Sequence, residues 1–230
     1  MRIGVTCIDA LDYTPTIKAL KQTIDTLGDK VAKVYWFSDI PFPEQIDFPI
    51  TWIKISKFKN YNDEYSFITL KLCPHICMEE FNLIIHADGF AVNKEAWTDE
   101  FFNFDYIGAL WNDGFIGNGG FSLRSRRLYD ALIDMDIEYK TQDYRFPYLD
   151  KPYEGFYYAI NASGQPVIPE DNIICKIHKD TLISNYEIKF ATNEVANRFS
   201  IEQNMNSEWL GKSLGFHGKH GIAKHYGIEL

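Results

Sequence analysis

Four short stretches carry the side chains that could do chemistry. The first is His86-Ala87-Asp88-Gly89, at the end of the apolar run NLIIH. An aspartate at a strand end can hold a divalent ion that bridges two phosphates, because hard cations prefer carboxylate and phosphate oxygens. The plainer reading is a turn, since Asp-Gly is a common turn dipeptide. His86 reads better as a buried, hydrogen-bonded histidine than as a second ligand. The second stretch is Ile116-Gly117-Asn118-Gly119-Gly120-Phe121-Ser122-Leu123-Arg124-Ser125. Its glycines let backbone approach a ligand closely, and Asn118 and Ser122 could hydrogen-bond a hydroxyl-rich molecule. It lacks the Gly-Lys-Ser/Thr ending of a P-loop and the G-x-G-x-x-G spacing of a dinucleotide site. A tight turn or bulge explains the glycines equally well, and Arg126 and Arg127 read as helix-surface charge.

The third stretch is Pro169-Glu170-Asp171-Asn172. Either carboxylate could deprotonate a hydroxyl, and either could simply cap a helix. The fourth is Leu214-Gly215-Phe216-His217-Gly218-Lys219-His220. In a flexible, Gly-flanked loop His217 could reach a metal, and Lys219 or Lys212 could pair with a phosphate. The alternative is a basic surface loop; His220 and His225 have only proximity in their favour.

These groups need a scaffold, and the chain outlines one. RIGVTCI at 2–8 is a β-branched, apolar run that predicts a buried strand. A helix follows, with Thr14 as cap, Pro15 at its first position, Ile17, Leu20, Ile24 and Leu27 on one face and Gly28 closing it. VAKVYWF at 31–37 predicts the second strand, ending in Ser38-Asp39. Strand, helix, strand is the signature of a mostly parallel sheet. TWIKI at 51–55 predicts a third strand and NLIIH a fourth. The segment 63–80 predicts a helix kinked or broken at Pro74. A short helix near 94–102, a strand at 105–109 and helices around 124–135, 171–181 and 193–202 complete the outline. Ligands of an open parallel sheet bind at the carboxyl ends of its strands, near the switch point of strand order. Thr6, Asp39 and Asp88 fall at or near such ends, along one edge that suits a nucleotide.

Composition narrows the class. The chain has 230 residues, 46% hydrophobic and 24% charged, ordinary values for a globular protein. With neither repeat nor low-complexity linker, it reads as one domain over residues 1–230. The net charge of −9 argues against a general nucleic-acid binder, which needs a basic face. An acidic protein that takes an anionic nucleotide must neutralise phosphate locally, with a metal or a few placed cations. Aromatic residues make up 16% of the chain, and aromatics both fill cores and line sites for sugars and bases. Cys7, Cys73, Cys77 and Cys175 do not form a zinc pattern and read as buried free thiols. No stretch reaches the ~18 apolar residues of a membrane span, so the expected location is cytoplasmic.

Read in order, these residues resemble a known family. They are Asp88-Gly89-Phe90 after a strand, Ala96-Trp97-Thr98-Asp99-Glu100-Phe101, and Tyr106-Ile107-Gly108-Ala109 with Trp111. Gly117 to Ser125, Pro169-Glu170-Asp171 and Phe216-His217-Gly218 follow. From about residue 60 onward the chain resembles a family of largely uncharacterised domains related to the GT-A-type glycosyltransferases, and Asn-Gly-Gly-Phe-Ser-Leu-Arg is the most specific element. The resemblance implies a GT-A fold, α/β with a mostly parallel central sheet flanked by helices. It divides the chain into a nucleotide-binding half, about 1–110, and an acceptor-binding and catalytic half, about 111–230. The superfamily usually carries Asp-x-Asp after the fourth strand, holding Mn²⁺ or Mg²⁺ against the donor diphosphate. Here the triplet is His86-Ala87-Asp88, with the first acid replaced. By the same resemblance His217 is a metal ligand and Asp171, paired with Glu170, is the base of an inverting transfer.

The implied activity is that of a hexosyltransferase-like enzyme with a nucleotide-sugar donor and a glycan or other hydroxyl acceptor. Thr6, Asp39, Asp88, Asn118, Gly119, Gly120 and Lys219 would contact the donor. Two other classes fit in part. A nucleotidyltransferase or sugar-nucleotide hydrolase would share the fold and the metal. However, Cys7-Ile8-Asp9-Ala10-Leu11-Asp12 lacks the glycine-rich basic loop such enzymes often carry after the first strand. A non-catalytic carbohydrate-binding module gains support from the replaced acid, and is opposed by the retained Asp88, Asp171 and His217.

Overall fold

The structure is a computed structural model that describes residues 1–59, 61–137, 159–160, 166–203, 207–218 and 221–229. Its centre is a six-stranded sheet built on β1 (Ile3–Ile8), every residue of which is buried. A strand covered on both faces has no polar side to show, which is why it reads as a continuous apolar run. β2 (Val31–Ser38) and β3 (Ile50–Lys54) lie successively outward on one side of β1, and β4 (Phe81–Ile85) lies on the other, all parallel. The chain therefore reverses its direction of sheet growth between β1 and β4. That opens a crevice beyond their carboxyl ends, where Asp9 and His86 begin the loops.

Four short strands come next: β5 (Gly89–Ala91), β6 (Tyr106–Ile107), β7 (Ala109–Leu110) and β8 (Ile116–Gly117). β9 (Phe121–Ser125) then runs antiparallel between β4 and β6, giving the order β3-β2-β1-β4-β9-β6. This corrects two expectations. The glycine-rich run is followed by a strand, not a helix, and the predicted strand 105–109 divides between two sheets. β7 and β8 form a ribbon of their own, as do β10 (Ala159–Ile160) and β11 (Pro166–Val167). A three-stranded sheet joins β12 (Ser200–Ile201), β13 (Gly215–His217) and β5. It corrects the reading of His217 as part of a flexible loop.

The first helix, α1 (Tyr13–Leu27), is capped by Asp12, whose carboxylate accepts from Thr14 N–H. The cap is thus two residues earlier than expected, because a carboxylate in extended backbone outcompetes the Thr14 hydroxyl. α1 packs on β5, with Thr26 Oγ1 donating to Ala91 O at 3.2 Å. The segment before β4 is helical as α2 (Tyr61–Phe67), widens into a π turn at Ile68–Leu72, and ends as α3 (Cys73–Ile76). Pro74 has no N–H and its ring crowds the carbonyl one turn back. The wider turn absorbs that misfit, the usual role of such a bulge.

α4 (Arg126–Met135) starts after a Ser125 cap that accepts from Leu128 N–H. The predicted helix 171–181 is instead a single turn, α5 (Glu170–Asn172), a π turn at Ile173–Ile177, and α6 (Lys179–Tyr186). α7 (Asn193–Phe199) stops short of the expected 202 because Ser200 and Ile201 pair with β13. Buried side chains from Ile3 to Ala223 join in a single apolar cluster. All four cysteines are free and buried, as expected. Among the described residues no helix is long and apolar enough to cross a membrane.

Candidate active site

A cavity of about 630 Å³ opens beyond the carboxyl end of β4. Three elements bring the sequence-predicted acids and histidines to it. His86 and Asp88 come from a two-residue turn closed by His86 N–H to Gly89 O at 2.8 Å and Gly89 N–H to His86 O at 3.2 Å. The turn reading of Asp-Gly therefore holds, and the turn sets the Asp88 carboxylate on the cavity wall. His217 ends β13, opposite Gly89 of β5. Asp171 sits in α5.

His86, Asp88 and His217 each offer a ligand atom, all within 4.8 Å of one another. His217 Nε2 is 3.6 Å from Asp88 Oδ1, and the two imidazole rings are 5.6 Å apart. His86 thus stands in the cluster and is also packed and hydrogen-bonded, as expected of it. Its ring packs edge-on against Tyr65 at 4.6 Å, and its Nε2 is 3.5 Å from the Tyr61 hydroxyl. Burial, then the neighbouring His217, press the His86 imidazolium down to about 3, so this ring is neutral. His217 goes the other way. Burial opposes its charge, but the Glu202 hydrogen bond and the carboxylates of Asp88 and Asp171 outweigh it and raise its pKa.

At Gly119 and Gly120 the backbone comes close to side chains of the cavity wall. A Cβ on Gly120 would lie 2.2 Å from His217 Nε2 and 2.6 Å from His86 Nδ1. A Cβ on Gly119 would lie 1.8 Å from Glu170 Oε1. Asn118 bends the chain into this approach with φ 74°, a left-handed conformation that Asn tolerates better than most residues. Its Oδ1 accepts from Gly120 N–H at 3.0 Å and Phe121 N–H at 3.3 Å, so this buried oxygen is engaged with its own loop.

Glu170 and Asp171 are adjacent in sequence and different in setting. Glu170 is 2% exposed and pairs with Arg124, itself 0% exposed, at 2.8 Å. Arg124 is thus no surface charge; it stands on the central strand β9, its Nε donating to Ser122 Oγ at 3.0 Å and its guanidinium 5.4 Å from the Tyr106 ring. Arg126 and Arg127 are ion-paired with Asp130 and Asp105. Asp171 is met by backbone N–H groups. Its Oδ2 accepts from Gly119 N–H at 3.0 Å and its Oδ1 from Asn172 N–H at 2.7 Å. Burial, then the charges of Glu170 and Glu202, push its carboxyl up to about 7 against those two N–H groups. A carboxylate there can take a proton near neutral pH.

Of the other sequence candidates, Thr6 lies within β1 and is fully buried, its hydroxyl 3.5 Å from Cys77 Sγ. Asp39 accepts from Tyr13 OH at 2.5 Å. Neither lines the cavity with Asp88, Gly119, Gly120, Glu170, Asp171 and His217. Lys219 and His220 lie outside the described residues. Sequence reasoning missed Tyr61, Lys176 and Glu202, all on the cavity wall. Lys176 is paired with Asp113 at 2.5 Å and lies 4.8 Å from the Trp111 ring. None of the three stands in a motif that would mark it.

Comparison with known proteins identifies the family and the fold. Residues 53–217 match the family described as "Protein of unknown function (DUF5672)", and the chain belongs to that family. No curated protein matches. Among solved structures, the apo-form glycosyltransferase GlyE of Streptococcus pneumoniae TIGR4 superposes with a TM-score of 0.57 at 10% identity, over 100% of this chain and 61% of GlyE. This chain therefore spans about three fifths of that protein. A glycosyltransferase involved in glycosylating the major capsid of PBCV-1 gives 0.54 at 11% identity, covering 99% of this chain and 98% of its own. The galactosyltransferase LgtC, solved with donor and acceptor sugar analogs, gives 0.54 at 11%, covering 98% and 95%. The fold is that of the GT-A-type glycosyltransferases.

Proposed function

We propose that this DUF5672 member is a glycosyltransferase that moves a sugar from a nucleoside-diphosphate sugar to a hydroxyl acceptor, with inversion and with a divalent ion. One observation carries the reading: a three-ligand cluster and a carboxylate poised near 7 face the same cavity at the switch point of the sheet. Fold likeness alone would not license an activity.

The residues fit an ion. Two ring nitrogens and a carboxylate oxygen converge around the space that Gly120 leaves open. Imidazole donors favour Mn²⁺ over Mg²⁺, which takes oxygen ligands and keeps its waters. The wall is acidic: Glu170 is offset by Arg124 and Asp113 by Lys176, leaving Asp88, Asp171 and Glu202. A diphosphate would be repelled there without a cation. When bound, the ion would neutralise the departing nucleoside diphosphate. Asp171 takes the proton of the acceptor hydroxyl as that oxygen attacks the anomeric carbon. The N–H groups of Gly119 and Asn172 hold its two oxygens in place. Glu170 and Arg124 fix the turn from which Asp171 projects. Thr6 and Asn118, both buried and engaged elsewhere, drop out of the donor contacts in this reading. Asp88, Gly119, Gly120 and Lys219 stay on the donor side, and the halves 1–110 and 111–230 serve donor and acceptor.

The test is thermal unfolding with nucleoside diphosphates and UDP-, GDP-, CMP- and TDP-sugars, each with Mn²⁺ and with chelator. A ligand that binds only the folded state stabilises by about 2.7 kcal/mol at a hundred times its Kd. The expected result is a rise for one nucleotide that chelator removes. No shift with any donor in the presence of Mn²⁺ would favour the non-catalytic binding module.

A further inference from the structure

Glu202 lies where two strands bring it beside a candidate ligand. β12 and β13 are parallel, with Ser200 beside Gly215 and Ile201 beside Phe216. The next step of that register sets Glu202 beside His217. β13 is antiparallel to β5, with His217 opposite Gly89, and Asp88 immediately precedes Gly89. One small sheet thus sets out Glu202, His217 and Asp88 in a row. The carboxylate Oε1 of Glu202 is 3.2 Å from His217 Nδ1, and its Oε2 accepts from the Trp111 indole N–H at 2.6 Å. Trp111 is held in turn by Gly117, where a Cβ would meet its ring at 2.2 Å.

The chemistry of this row depends on which ring nitrogen carries hydrogen. A neutral imidazole has one N–H and one lone pair, and the partner of one nitrogen decides which is which. An ionised carboxylate only accepts. Glu202 is at hydrogen-bond distance from Nδ1 while Asp88, 3.6 Å from Nε2, is not, so the geometry favours Nδ1 as the donor. That leaves the lone pair on Nε2, the nitrogen 3.6 Å from Asp88 and against the space kept open by Gly120. The other tautomer would aim a hydrogen into the metal cluster. Carboxylate partners behind metal-binding histidines commonly act in this way.

We infer that Glu202 is a positioning residue: anchored by Trp111, it holds His217 in the Nδ1–H tautomer and presents Nε2 to the ion. The metal half of this inference rests on the function proposed above; the tautomer half does not. Long-range proton–nitrogen spectra of the metal-free protein at alkaline pH read the tautomer directly. Wild type shows Nδ1–H, Glu202→Ala loses that preference, and Glu202→Gln, which keeps an acceptor oxygen, restores it. Titration with Mn²⁺ alone, followed by the paramagnetic resonance of free ion, shows affinity falling roughly 10- to 100-fold in Glu202→Ala, with a smaller loss in Glu202→Gln. The Nε2–H tautomer in wild type overturns the inference without recourse to any variant. So does an unchanged tautomer in Glu202→Ala with Mn²⁺ affinity within about twofold of wild type. If wild type binds no Mn²⁺, the metal reading fails, and the spectra still decide whether Glu202 orients His217.

Discussion

Replacing Asp171 by Asn should stop transfer and, above neutrality, stabilise the protein. The carboxyl is raised from its ordinary 3.8 to about 7, first by burial and then by Glu170 and Glu202. Between those values the native state keeps a proton that the unfolded chain has released. Stability therefore falls as pH rises through this window, and above it the whole cost is present. A shift of about three units corresponds to an upper limit of ~4 kcal/mol. The amide removes that slope. Its oxygen can keep the Asn172 N–H, but its NH₂ then faces the Gly119 N–H, where Oδ2 now accepts. That mismatch costs about 1–3 kcal/mol at every pH.

Asp171→Asn should accordingly be more stable than wild type by roughly 1–3 kcal/mol above neutrality and less stable by about 1–3 kcal/mol in mild acid. At this chain length that is about 2–4 °C of Tm per kcal/mol. Calorimetry of both proteins across the window provides the assay. The same variant should bind the nucleotide donor and fail to transfer, and wild-type kcat/KM should rise through a limb near the Asp171 pKa. Parallel stability curves for the two proteins would refute the raised carboxyl. Wild-type turnover in the variant would refute its role as base.

Two other substitutions probe the walls of the site. Glu170→Gln leaves the Arg124 charge buried without its partner, which should cost about 3–5 kcal/mol in denaturant unfolding. The apolar double variant Arg124→Met/Glu170→Met should recover most of it, and an unaffected single variant would show that the pair contributes nothing to the fold. Gly120→Ala places a methyl 2.2 Å from His217 Nε2 and 2.6 Å from His86 Nδ1. Overpacking of this kind costs about 1–3 kcal/mol, and the variant should lose any Mn²⁺-dependent rise in Tm. A retained rise would place the ion elsewhere.

Local pattern carried the sequence reading far where the physics is local. β1 and β4 were legible because buried parallel strands are apolar throughout, the edge strand β3 because its residues are β-branched and aromatic, and Gly28 as a stop because a helix end favours residues free to take positive φ. The Gly-rich run announced a close backbone approach, since only glycine permits one, although not what would be approached. The predicted helix 124–135 takes in the last two residues of the strand Phe121–Ser125. Nothing local marks Arg124 as buried, because the acid that neutralises its charge is 46 positions away. Pro74 announced a break without showing that a π turn would absorb it.

The sequence by itself determined an acidic α/β chain and the order of its motifs, and it singled out Asp88, Asp171 and His217 as candidates. Tertiary structure alone decided that these lie around one cavity, that Glu170 is tied to Arg124, and that His86 completes a cluster. It also decided that Glu202 stands behind His217. The reason is physical. Propensity and periodicity act over a few residues, whereas the tautomer of a histidine or the charge of a carboxyl depends on whatever the sheet register brings within a few ångströms.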